Sequence, residues 1–166
     1  ATEPVVVKLV PDRPIEGRVL DLEGHPVAGA TVRAKSLVAA TNEDLTKILA
    51  AASAGSPDWL RRGETKWIDL PPDHLAEATT AKDGTFELHG IGNNRLASLL
   101  VRGETFTLQR CWVVNLPLDA PLKVNSAPVN NSSQILGSNC QIVVRPTQPI
   151  EGVVRAPSAF SMTLGC

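Results

Sequence analysis

Apolar and polar residues alternate with period two through much of this chain, and each interruption carries a turn residue. Val5 to Val10 (VVVKLV) is the first apolar stretch. After Pro14, Ile15, Gly17 and Val19 alternate with Glu16 and Arg18, the pattern of a strand with one dry and one wet face. Glu23-Gly24-His25-Pro26 ends it, because glycine accepts positive φ and proline cannot donate to a ladder. Alternation resumes with Ala30, Val32 and Ala34 against Thr31, Arg33 and Lys35. Strands are also predicted around Ala78–Thr80 and at Thr85–Leu88, joined by an Asp83-Gly84 hairpin turn. Others are predicted at Leu96–Val101, at Thr105–Leu116 with Phe106, Leu108, Trp112 and Val114 on one face, and at Cys140–Arg145.

The period changes between about 41 and 75. Leu45, Ile48, Leu49 and Ala52 sit at helical spacing, with Thr41 or Asn42 as N-cap, Glu43 and Asp44 in the first turn, and Gly55-Ser56-Pro57 as the stop. A second helical turn is expected over Pro57–Arg62, and Pro71-Pro72 closes the excursion. The fold class that follows is all-β: about seven strands in an antiparallel two-sheet sandwich, with a short helical insertion at 41–75.

The sequence also echoes itself. Pro11, Pro14, Ile15, Glu16, Gly17 and Val19 recur as Pro146, Pro149, Ile150, Glu151, Gly152 and Val154, at a constant offset. Such self-similarity marks a tandem array. Residues 1–12 then read as a lead-in strand from a preceding unit, and 13–146 as the sandwich. Residues 147–166 read as the incomplete start of a next unit or an altered tail. Val5–Val10 and Cys140–Arg145 precede the same Pro-Ile-Glu-Gly motif, so a lone unit holds a surplus strand, which invites a homodimer through an open edge.

Composition narrows the partners. The 166 residues carry a net charge of -1, with 43% hydrophobic and 20% charged residues, which suits one globular domain with its own core. A strongly basic surface is absent, which argues against nucleic acid. No apolar run reaches the length of a membrane span.

The run Ile15-x-Gly17-x-Val19-x-Asp21-x-x-Gly24-x-Pro26-Val27-x-Gly29-Ala30-x-Val32 resembles the opening signature of carboxypeptidase regulatory-like domains. Thr80-x-x-Asp83-Gly84-x-Phe86-x-Leu88 resembles their second signature. The resemblance covers residues 14–32 and 78–100, and the 41–75 insertion is longer than that family usually shows. It implies a transthyretin-like sandwich, exported to the periplasm, cell surface or outside, and without catalytic residues. The implied role is a non-catalytic structural or protein-interaction module of a larger multidomain bacterial protein, partnered by neighbouring domains of the same chain. Gly17, Gly24, Pro26, Gly29, Asp83, Gly84 and Phe86 are its structural signature residues.

His74-x-x-Glu77 has the spacing of a zinc pair, but a catalytic zinc needs a third protein ligand and none suits. Cys111, Cys140 and Cys166 form no C-x-x-C pair and read as buried or idle thiols, with a Cys111–Cys140 bridge between neighbouring strands as the alternative. Two enzyme types share the implied fold. Hydroxyisourate hydrolases carry a C-terminal Tyr-Arg-Gly-Ser tail, and intradiol dioxygenases bind iron through two tyrosines and two histidines; this chain has no tyrosine. The expectation is therefore no enzyme, no metal and no cofactor. The alternative is a carbohydrate-binding module, with Trp59, Trp67, Arg61 and Arg62 of the insertion contacting a polysaccharide by ring stacking and hydrogen bonds.

Overall fold

The computed structural model describes residues 11–56, 58–60, 63–70, 76–124 and 134–147. They form an all-β sandwich of two sheets with one short helix, as the alternation predicts. The strands are β1 (Ile15–Leu20), β2 (Thr31–Ala40), β3 (Thr65–Asp69), β4 (Glu77–Thr79) and β5 (Thr85–Leu88). They continue with β6 (Leu96–Arg102), β7 (Gln109–Val114), β8 (Leu122–Lys123), β9 (Gln134–Leu136) and β10 (Asn139–Val143). The small sheet runs β10-β1-β5. The large sheet runs β3-β2-β6-β7-β9-β8, with β4 also on β2. Two pairings are parallel, β1 with β10 and β7 with β9; the others are antiparallel. Among the described residues, no helix is long and apolar enough to cross a membrane.

Two apolar clusters hold the molecule. The first lies between the sheets: Ile15, Val19, Phe86, Leu88 and Ile142 of the small sheet meet Val32, Ala34, Leu99, Val101 and Val113 of the large one. The second covers the opposite face of the large sheet. There, helix α1 (Thr46–Ser53) packs Leu45, Ile48 and Ala52 against Val38, Ala40, Leu96, Trp112 and Val114. The insertion is thus a third layer, and it makes the large sheet dry on both faces.

That burial explains where the alternating pattern stops being readable. β2 is bulged between Ala34 and Ser36, and beyond the bulge every residue from Ser36 to Ala40 is buried. A bulge shifts the side-chain phase by one, and a strand covered on both faces loses its polar alternation. Strand β3 lies within the stretch where a helical excursion is expected, and it pairs antiparallel with the last half of β2.

The predicted common face of Phe106, Leu108, Trp112 and Val114 is corrected. β7 begins only at Gln109. Phe106, in the preceding loop, turns into the inter-sheet core, while Trp112 and Val114 enter the outer cluster. Leu108 stays 57% exposed.

The helix start also differs from the expectation. The N-cap is Leu45, which offers no side-chain oxygen. Asp44 serves instead: its Oδ1 accepts from the Thr46 amide at 2.9 Å and the Thr46 hydroxyl at 2.6 Å. The helix end follows the expected stop. Gly55 has φ +74°, and Ser56 N–H donates to Ala51 O while Gly55 N–H donates to Ala52 O, a Schellman motif.

Candidate association edge and outer groove

The two signature segments meet. Thr80 N–H donates to Ala30 O, Gly29 N–H donates to Thr80 O, and the Thr80 hydroxyl accepts from Ala30 N–H at 2.8 Å while donating to Val27 O at 2.7 Å. Val19 N–H donates to Gly84 O, and Val27 N–H to Val19 O. Gly24, Gly29 and Gly84 all have positive φ. Asp83 Oδ1 accepts from the amide and hydroxyl of Thr85, so it builds the hairpin turn. Pro26 bridges Leu20, and the Phe86 ring packs against Gly17: a Cβ there would stand 2.6 Å from the ring.

This corner anchors β1, and β1 carries β10. The parallel ladder is framed by Glu16 N–H donating to Ser138 O and Val144 N–H donating to Leu20 O. In a parallel pair the bonds engage every second residue of one strand. Cys140 and Ile142 therefore face β1 with their backbone groups, and Asn139, Gln141 and Val143 direct theirs to the opposite side. No described strand pairs with that side along Asn139–Val143, but just beyond it Thr107 N–H donates to Arg145 O, Thr147 N–H donates to Thr105 O and Phe106 bridges Pro146.

The other terminal strands carry charges that discourage strand addition: Glu87 on β5, Lys66 and Asp69 on β3, Glu77 on β4 and Lys123 on the two-residue β8. β10, Asn-Cys-Gln-Ile-Val, carries none, and Val143 is 48% exposed. Beside this edge, the outer face of the small sheet forms a groove of about 560 Å³ lined by Glu16, Arg18, Glu87, Asn139 and Gln141. Glu16 and Glu87 stand directly opposite each other across β1 and β5. Arg18 donates from Nε to Asp83 O at 2.8 Å, and His89 places Nε2 3.1 Å from Glu87 and Nδ1 3.6 Å from Asp12.

Of the four predicted ligand-contacting residues, the structure describes Trp59 and Trp67. Trp59 is buried (8% exposed) and Trp112 more so (3%), their rings edge-to-face at 6.1 Å. Trp67 is 46% exposed, yet its ring also meets Trp112, at 6.0 Å. Arg61, Arg62 and His74 lie outside the described residues, as do Val5–Val10 and the second Pro-Ile-Glu-Gly motif. Cys111 and Cys140 are free, not bridged. Burial raises both thiol pKa values, so neither is a thiolate near neutral pH. Asp21, Glu23 and His25 offer atoms within 4.8 Å of one another. Asp21 Oδ1 already accepts from the Glu23 and His25 amides, so this group closes the turn after β1.

Several carboxylates are tied into the fold. Burial pushes the Asp12 carboxyl up, but the Gly90 and Gly92 amides, each 2.8 Å away, and His89 outweigh it and hold its pKa below the ordinary value. The Arg95 guanidinium, donating at 2.6 Å, lowers that of Glu43, with Lys66 adding to it. The Thr46 hydroxyl lowers Asp44, and the Thr85 hydroxyl lowers Asp83. A carboxylate with a depressed folded-state pKa contributes stability that is complete above its unfolded pKa, about 4, and is lost as pH falls through the folded value. Unfolding midpoints in urea are therefore expected to hold level from pH 7 to about 5 and to fall below about pH 4. In Asp12→Asn the fall should be shallower; an unchanged slope would mean that Asp12 is not one of the groups responsible.

Comparison with known proteins found no matching family model and no matching curated protein. Among solved structures, the chain is similar to hydroxyquinol 1,2-dioxygenase from Pseudomonas putida DLL-E4 at 11% identity and a TM-score of 0.39. That alignment covers 86% of this chain and 58% of the other. It is similar to catechol 1,2-dioxygenase from Pseudomonas arvilla C-1 at 11% identity and a TM-score of 0.43, over 93% of this chain and 59% of the other. The chain thus spans under two thirds of the length of either.

These findings correct the expected role. Both solved structures are named as enzymes, against the expectation of a non-catalytic module. At these TM-scores the likeness assigns no activity to this chain.

Proposed function

We propose that this chain is a carboxypeptidase regulatory-like sandwich that self-associates, each copy adding β10 to the β10 edge of another. The family reading is supported by the way the two signature segments bond to each other through Thr80, Ala30, Val19 and Gly84. The observation that carries the association is the uncharged edge of β10, where Asn139, Gln141 and Val143 direct their amides and carbonyls away from β1. Open backbone groups on a flat uncharged strand template the addition of another strand.

Light scattering coupled to size exclusion across a concentration series tests the reading. The expected result is a monomer–dimer equilibrium that Gln141→Lys weakens at least tenfold, because like charges then face each other across the join. Thermal melting of the dilute variant should match that of the parent, since Gln141 is exposed. A parent that stays monomeric up to about 1 mM, where even weak edge pairing would register, overturns the proposal.

A further inference from the structure

We infer that Pro11–Pro14 is a stiff joint between consecutive sandwich units, gripped by the unit before it and, from Asp12 onward, by the unit after it. Residues 11–19 recur at 146–154, so the segment entering this unit and the segment leaving it are two copies of one joint. The entering copy shows the grip of the unit that follows. The leaving copy shows the grip of the unit that precedes.

On the entry side, the Asp12 carboxylate accepts from the Gly90 and Gly92 amides, both at 2.8 Å. Arg13 N–H donates to Gly92 O, and Arg13 O accepts from Asn115 Nδ2. Asn115 is fully buried and also donates to Gly92 O, so the entry is bonded to the core rather than to a loose loop. On the exit side, Arg145 O accepts from Thr107 N–H at 2.9 Å, Thr147 N–H donates to Thr105 O at 3.2 Å, and Phe106 bridges Pro146. The Phe106 ring is 5% exposed and lies so close over Gly103 that a Cβ there would stand 2.3 Å away. This platform, too, is part of the core.

The repeat places Pro146 at the position of Pro11 and Thr147 at that of Asp12. Between two units, Asp12 therefore serves both. Its amide takes the Thr147 place on Thr105 O of the preceding unit, while its carboxylate stays on Gly90 and Gly92 of its own. Pro11 is held on one side and Arg13 on the other, and the two prolines fix φ and restrict the residues before them. Units on a flexible linker move freely, whereas this joint keeps no residue as slack. The joint lies within one polypeptide and is independent of association through β10.

The test is the full chain with its unit duplicated, residues 1–145 joined to residues 11–166, carrying Cys166→Ser. Nitroxide labels on Lys35→Cys, an exposed site, are placed in both copies; Cys111 and Cys140 are buried. Double electron–electron resonance, with the labelled chain diluted in unlabelled chain, reads the distance within one polypeptide alone. A single narrow peak is expected, and a Gly-Ser-Gly-Ser insertion after Arg145 should make it about twice as wide. A parent distribution already as wide as that of the insertion variant overturns the joint, whether or not the chain dimerises. Asp12→Ala in the second copy should widen the peak, and the same substitution in the first copy, which has no unit before it, should not. Equal widths for these two variants would strip Asp12 of its double attachment and overturn the inference.

Discussion

Replacing Trp112 with alanine should lower the unfolding free energy by about 3–5 kcal/mol, the range for truncating a large buried aromatic. Trp112 lies on the face of β7 that meets the helical layer, and it is 3% exposed. Its ring receives Trp59 on one side and Trp67 on another, both near perpendicular, with interplanar angles of 81° and 77°. Edge-to-face pairs contribute about 0.5–1.5 kcal/mol each beyond area burial. Removing the shared ring deletes both pairs and leaves a void beneath α1, where Ile48 and Ala52 now pack. Trp67→Ala deletes one pair from a half-exposed site and should cost about 1 kcal/mol. Urea denaturation followed by far-UV circular dichroism measures both. A loss at Trp112 no larger than that at Trp67 would show that the outer layer is not organised around this ring.

The helical layer also explains which parts of the fold were legible in one dimension. β1, the start of β2 and the Asp83-Gly84 hairpin announce themselves because their outer faces are wet: Glu16, Arg18, Arg33, Lys35 and Glu87 keep the polar half of the alternation. β7 does not, since Cys111 and Val113 face one core while Trp112 and Val114 face the other. The resulting unbroken apolar run, extended backwards through Phe106 and Leu108, carries no phase information. β3 was missed for the opposite reason. Its residues are almost all exposed, so Thr-Lys-Trp-Ile-Asp shows no dry face to read.

Strand β10 was half legible. The recurrence of Pro-Ile-Glu-Gly pointed to a surplus strand near Cys140–Arg145, and β10 is there, as Asn139–Val143. Its parallel pairing with β1 joins residues more than a hundred positions apart, and no local pattern encodes that. Without the pairing, the direction in which Asn139, Gln141 and Val143 turn their backbone groups could not be deduced. The lack of any charge on the strand was the available signal. It takes on meaning only beside the charged β3, β4, β5 and β8, once the sheet order shows all of them to be edges.

Gly84→Ala should destabilise the fold by about 2–4 kcal/mol, combining two separable costs. The first is conformational. Gly84 has φ +79°, and an L-residue held in the left-handed region costs about 1–2 kcal/mol. The second is steric. A Cβ at this position would lie 2.6 Å from Val19 O and 3.1 Å from Pro26 Cβ, and backbone atoms cannot swing away as a flexible side chain can. The Val19 carbonyl is pinned by the Val27 amide, and the Val19 amide is bonded to Gly84 O at 2.9 Å. Any retreat of the hairpin therefore pulls at the contact between the two signature segments. Gly24→Ala provides the comparison: φ is +84°, yet nothing lies within 4 Å of its Cβ position, so only the conformational cost applies. The Gly84 variant should unfold at the lower urea concentration of the two. Equal losses would remove the steric part of the explanation and, with it, the claim that this turn must lie against the backbone of β1.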